Sequence, residues 1–209
     1  ISTDSASRMG GSVVVLFMVA TLLPQLLSSD TVSDAAFLVI VFVTMALYLL
    51  GLAEDMGAKL PALIRLCAIF LVVGFALSAL NLNHFDFSPW LDSTPVLAHF
   101  LGLCLLTIAA GFVINSFNTA DGANGLIAGT AILFLVSVLE HFGLQASLAP
   151  LWMSAALGTG LFFIVNVLVG RFFLGDGGAY ALGGIVVLTL WYALQNQPNA
   201  VLPLLCLVL

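Results

Sequence analysis

Long apolar runs separated by short polar breaks make up almost the whole chain. The runs fall at roughly 10–27, 35–53, 61–80, 96–115, 123–140, 148–169, 179–195 and 199–209. The complete ones hold about 16–22 residues, or roughly 24–33 Å as helix. That matches a hydrocarbon core about 30 Å thick. They are too long and too continuously apolar for the strands of a membrane β-barrel. Backbone in lipid must satisfy its own polar groups, which leaves helices. The pattern predicts an all-α, polytopic transmembrane helical protein with seven complete spans and part of an eighth. Residues 1–209 read as one integral-membrane domain truncated at both ends, because the chain opens at Ile1 and stops at Leu209 inside an apolar run.

Composition sharpens this. Hydrophobic residues make up 62% of the chain and charged ones only 7%, which excludes an ordinary soluble domain. The polar breaks alternate in character. All four Lys and Arg residues (Arg8, Lys59, Arg65 and Arg171) lie in or beside one alternate set of breaks. The positive-inside rule assigns that set to the cytoplasm. Arg65 stands one turn into its span, where it can snorkel to the interface. The longest break of the other set carries His84, Phe85, Phe87 and Trp90, residues suited to the membrane–water interface. There is no basic patch for nucleic acid. Cys67, Cys104 and Cys206 have neither metal-site nor disulfide spacing and read as small buried packing residues.

Three breaks of the cytoplasmic set are acidic and rich in glycine. The first, "GLAEDMGAKLP", holds Glu54, Asp55 and Lys59. The second, "NSFNTADGANGL", holds Asn115, Asn118, Asp121 and Asn124, three residues apart. As helix they form a polar strip; Gly122 and Gly125 favour a loop instead. The third, "GRFFLGDGGAYALGG", holds Arg171 and Asp176. One reading of each is a solvated turn, since Gly and Asp are turn formers. Together they place carboxylates at one side of the membrane, where ionisable groups are costly and functional. Such acids repel one another unless a divalent cation joins them, and oxygen ligands suit Mg²⁺ or Mn²⁺. Glycines allow backbone N–H groups to approach a phosphate.

These segments resemble the signature loops of the polyprenyl-phosphate N-acetylhexosamine-1-phosphate transferases, the family that includes MraY and WecA. "AEDM" resembles its aspartate-pair loop and "SRMGGS" its paired-glycine loop. "NSFNTADGANGLIAG" and "FLGDGGAY" resemble its two most specific motifs, and they point to the WbpL- and WecA-like branch that initiates O-antigen. The resemblance implies a Mg²⁺-dependent (or Mn²⁺-dependent) multi-pass enzyme of the bacterial inner membrane with cytoplasmic active-site loops. It implies transfer of a sugar 1-phosphate from a UDP-N-acetylhexosamine to undecaprenyl phosphate, releasing UMP and starting O-antigen, lipopolysaccharide or cell-wall synthesis. Membrane lipids are further partners, and a homodimer is compatible with the family.

Residue by residue, the resemblance implies Asp176 and Asn118 as metal ligands, and Asp55, Glu54 and Asp121 as the catalytic acids. Asn124 and Phe173 match positions that contact uracil, by amide hydrogen bonds and by stacking. Gly175 and Gly177 would approach the nucleotide's diphosphate, while Lys59 and Arg171 would neutralise phosphate. Glu54 stands where many members have Asp. Asn124 stands where MraY-like members have a second Asp. The family's late histidine-containing loop is not in this sequence, so residues 1–209 alone are expected to be inactive. Two other readings are an ion-coupled membrane transporter and an inactive truncated homologue. A transporter would hold its ionisable residues near the bilayer midplane.

Overall fold

The computed structural model describes residues 7–27, 35–80, 95–123, 125–170 and 172–208. The aromatic-rich break at 81–94, Asn124 and Arg171 lie outside the described residues. Among the described residues, eight helices follow the apolar runs: α1 (Gly10–Leu27), α2 (Ala35–Asp55), α3 (Ala62–Ala79), α4 (Pro95–Ala120), α5 (Leu126–Phe142), α6 (Ala149–Val169), α7 (Gly175–Asn196) and α8 (Pro198–Leu205). Among the described residues there is no strand beyond one isolated parallel bridge, Ser7 with Phe172. Among the described residues, six helices are long and apolar enough to cross a membrane. α5 has 17 residues, or about 25 Å of helix, and α8 has 8. The protein is membrane-embedded and all-α.

The bundle is built around α7. Every residue from 177 to 190 is buried, whereas the other spans bury one stripe and expose the rest, as Leu16, Phe42, Leu71 and Leu161 show. α2, α4, α1 and α8 pack round α7, and α6 joins through α1 and α5. Glycines make this density possible. A Cβ on Gly11 of α1 would collide with the backbone of Gly178, and one on Gly51 of α2 with the backbone of Asp176 and Gly177. Far from these crossings, Trp152 donates to Thr189 at 3.0 Å and its ring packs with Phe142 and Tyr192.

Helix ends depart from the apolar runs in one informative way. α2 runs on to Asp55, α4 to Ala120, and α7 starts at Gly175. Glu54, Asp55, Asn118 and Asp176 therefore sit on helix ends, and Asp121 in the turn that follows α4. α5 begins only at Leu126, because Gly125 turns the chain with φ +77°. Gly125 and Gly129 both face Phe163 of α6, in keeping with close small-residue packing. Cys67 and Cys206 are exposed on the outside of the bundle, the lipid side in a membrane. Buried packing was the expectation for them, and apolar surroundings satisfy a thiol on either side.

Candidate active site

The first turn of α7 is the centre of the site. A helix N-terminus leaves four N–H groups without intrahelical partners. Here two carboxylates from other elements take four amides in a row. Asp121, in the turn after α4, accepts from Leu174 N–H at 3.2 Å and Gly175 N–H at 2.9 Å. Asp55, the last residue of α2, accepts from Asp176 N–H at 3.1 Å and Gly177 N–H at 3.0 Å. Negative charge is favoured at this end of the helix dipole. Only glycine fits at 175: its φ is +77°, and a Cβ there would meet the Arg8 carbonyl and Asp55 Oδ2. Burial raises the Asp121 carboxyl above the usual aspartate range; the two amides pull it down, and the neighbouring Asp55 and Asp176 push it up.

The amides of Gly175 and Gly177, expected to meet a diphosphate, thus donate to the protein's own carboxylates. Gly177 is buried against Tyr48 and Leu52 of α2. The chain just before α1 docks on the other side of the same segment. Phe173 N–H donates to Ser7 O at 2.9 Å, Gly10 N–H to Phe173 O at 3.0 Å and Gly11 N–H to Leu174 O at 2.7 Å.

Beside this turn opens a cleft of about 560 Å³, lined by Arg8, Asn118, Asp121, Gly122, Phe173, Gly175 and Asp176. Of the predicted residues, the structure brings together Asn118, Asp121, Phe173, Gly175 and Asp176 at this cleft, with Asp55 directly beneath. Lys59 is exposed in the turn after α2 and is not among the residues lining the cleft.

Glu54 lies on the α3 side. Its Oε2 accepts from Arg65 at 2.9 Å. Arg65 is therefore an ion-pair partner rather than a side chain reaching for headgroups. The other Glu54 oxygen, Oε1, is buried and has no hydrogen-bond partner among the described residues. Asn118 donates to the buried Tyr180 hydroxyl at 3.2 Å, which fixes the amide beside the cleft.

A divalent cation would find an open set of oxygens here, not a closed cage. Among the described residues no three acidic, histidine or cysteine side chains converge as a closed metal cage. Asp176 and Asn118 instead offer oxygens at an open cleft, and Glu54 adds an unpartnered buried oxygen nearby. Mg²⁺ is commonly held by one or two carboxylates with phosphate and water completing its shell.

Sequence reasoning missed Arg65 as a partner, together with Arg8, Tyr180 and Asn166. Glu54 and Arg65 flank one short turn in a chain with few charges, and charges at membrane depth seek partners. Asn166 is the only amide side chain in α6.

Residues 37–193 match the family described as Glycosyl transferase family 4. A phospho-N-acetylmuramoyl-pentapeptide-transferase of Staphylococcus carnosus is 26% identical over 199 residues, covering 85% of this chain and 59% of that protein. A similar enzyme of Porphyromonas gingivalis is 27% identical over 61% of this chain and 34% of its own length. An undecaprenyl-phosphate alpha-N-acetylglucosaminyl 1-phosphate transferase of Yersinia pestis is 30% identical over 73% of this chain and 42% of its own. The chain thus spans less than two thirds of the length of each of these curated relatives. No solved structure gives a significant match. With the family match running from the start of α2 to near the end of α7, the chain belongs to glycosyl transferase family 4.

Proposed function

We propose that the full-length protein transfers an N-acetylhexosamine 1-phosphate from a UDP-sugar to undecaprenyl phosphate, releasing UMP and opening an envelope polysaccharide pathway. The observation that carries this reading is the polar cleft at one end of an apolar bundle. A water-soluble nucleotide meets a membrane-bound acceptor at such a place. With Arg8, Lys59 and Arg65 at that end, it faces the cytoplasm of a bacterial inner membrane. Acids gathered at one end, rather than at mid-bundle, argue against the transporter reading.

Phe173 is half-buried at the cleft and offers a face on which uracil stacks, with the Asn124 amide reading the base edge. Asp176 and Asn118 would hold Mg²⁺ or Mn²⁺, which would supply neutralisation of phosphate oxygens and of the charge on departing UMP. An oxygen of undecaprenyl phosphate attacks the sugar-bearing phosphorus, the bond from that phosphorus to UMP breaks, and UMP leaves with the electron pair. A phosphate monoester has a second pKa near 6, so the acceptor needs little help from a base at neutral pH. Asp55 and Asp121, with both oxygens of each engaged by amides of Leu174 and the first turn of α7, hold Asp176 in place. Glu54, oriented by Arg65, faces the acceptor phosphate, and Lys59 and Arg171 offset phosphate charge.

The test is UMP release by the full-length protein with undecaprenyl phosphate, Mg²⁺ and a panel of UDP-N-acetylhexosamines, including the muramoyl pentapeptide donor. Release with one donor, abolished by chelation, is expected. No release with any donor refutes the reading.

A further inference from the structure

Tyr180 lies in the second turn of α7, four residues after Asp176 and so on the same face of the helix. It is fully buried and does not itself line the cleft. A buried phenol hydroxyl needs a hydrogen-bond partner. Here the partner is a side chain of the cleft: Asn118, in the last turn of α4, donates from Nδ2 to the Tyr180 hydroxyl at 3.2 Å. The surrounding charge favours this direction. Glu54, Asp176 and Arg65 all act on the hydroxyl. Two carboxylates against one guanidinium draw the phenolic proton to their side, which leaves an oxygen lone pair for Asn118. The carboxamide has two unlike ends. Its nitrogen is a donor only, whereas its oxygen is a hard ligand that suits Mg²⁺. With Nδ2 held by Tyr180, Oδ1 is the end left for the cleft that Asn118 lines together with Asp176.

We propose that Tyr180 is a positioning residue for the cation: its hydroxyl holds the nitrogen end of Asn118 and so presents Asn118 Oδ1, alongside the Asp176 carboxylate, to a divalent metal. The inference rests on the reading of Asp176 and Asn118 as metal ligands. α7 then serves the site twice. It supplies one ligand itself, and one helical turn further in it orients the second, which comes from α4. Partners behind metal ligands fix ligand orientation in this way. Tyr180→Phe keeps the ring and removes the hydroxyl, so the amide is free to turn over and set its NH₂ group against the cation. Asn118→Asp places an oxygen at each end of the side chain. Either end then faces the metal correctly, and the hydroxyl has no orienting task left.

The experiment titrates Mn²⁺ into the full-length protein in detergent, without nucleotide, and follows free Mn²⁺ by its paramagnetic resonance signal. Wild type is compared with Tyr180→Phe, Asn118→Asp, the double variant and Asp176→Asn. Tyr180→Phe retains the buried ring, so the protein folds, and its Tm is expected within about 4 °C of wild type. Its Kd for Mn²⁺ is expected to rise about tenfold, the lower end of what loss of an outer partner costs a metal site. In the Asn118→Asp background the same change is expected to move Kd by less than about twofold, because the two residues act as one unit. Equal Mn²⁺ affinity in wild type and Tyr180→Phe overturns the proposal. So does a tenfold loss that persists in the Asn118→Asp background, since general damage to the helix crossing would not depend on the residue at 118. The metal reading fails separately: wild type that binds no Mn²⁺, or Asp176→Asn that binds it equally well, refutes that reading and this inference with it.

Discussion

Replacing Asp55 with asparagine keeps the size of the side chain and removes its charge. In wild type the two oxygens accept from Asp176 and Gly177 at 3.1 and 3.0 Å. The amide keeps one acceptor and turns an NH₂ group toward the other backbone N–H. One charge-assisted hydrogen bond is lost, worth about 1.5–3 kcal/mol. A favourable charge at the helix N-terminus is lost as well, worth about 0.3–1 kcal/mol. The sum, about 3 kcal/mol, lowers Tm by roughly 6–12 °C for a chain of this size. The measurement is thermal unfolding of the full-length protein in detergent, beside UMP release. Asp55 as an anchor of α7 predicts loss of both stability and turnover. A base that only takes a proton predicts lost turnover at unchanged Tm. Melting within about 2 °C of wild type refutes the anchoring argument. Asp121→Asn acts on the adjacent amides of the same helix end, so the double variant is expected to fall short of the sum of the two single losses.

Asp176→Asn is expected to leave Tm nearly unchanged while cutting Mg²⁺-dependent turnover by a factor of about 10² or more; near-wild-type rates refute its place as a metal ligand. Arg65→Ala strands the Glu54 carboxylate, and because Arg65 is 26% exposed the cost is set at about 2 kcal/mol, below that of a fully buried pair. The same thermal melt shows it, and Arg65→Met combined with Glu54→Gln should recover most of the loss. Gly11→Val drives a side chain into the backbone of Gly178; overpacking of at least about 1–3 kcal/mol is expected, read as a lower Tm. A variant as stable as wild type means that α1 and α7 do not cross closely there.

The helices were legible because lipid simplifies the code: a run of apolar residues long enough to span reads as helix with little ambiguity. Helix ends were harder. Asn118, Thr119 and Ala120 sit beside Asp121–Gly122, and local chemistry favours a turn there, yet α4 runs through them to meet α7. Gly175 is a poor opening residue by propensity. It starts α7 because Asp55 and Asp121 hold the amides around it: Asp55 bonds Asp176 across 121 residues of chain, and Asp121 bonds Gly175 across 54. No local pattern encodes such a meeting. The motif residues themselves were found because acids, amides and glycines stand out against an apolar background. Asn166 stood out as well, but an amide with no charged neighbour gave no hint that it joins Gly125 to Phe172.

The complete burial of α7 has a mechanical consequence. A bilayer that is too thin or too thick acts on a protein through the side chains that touch lipid, making spans tilt or the lipid deform. α7 has no such face from 177 to 190. Strain from a change in membrane thickness reaches the lipid-facing sides of α1, α2, α3, α4 and α6 first, and it reaches α7 only through the helices packed round it. The helix that carries Asp176 is thereby insulated from the solvent it crosses, so the geometry at its first turn holds as the surrounding lipid changes.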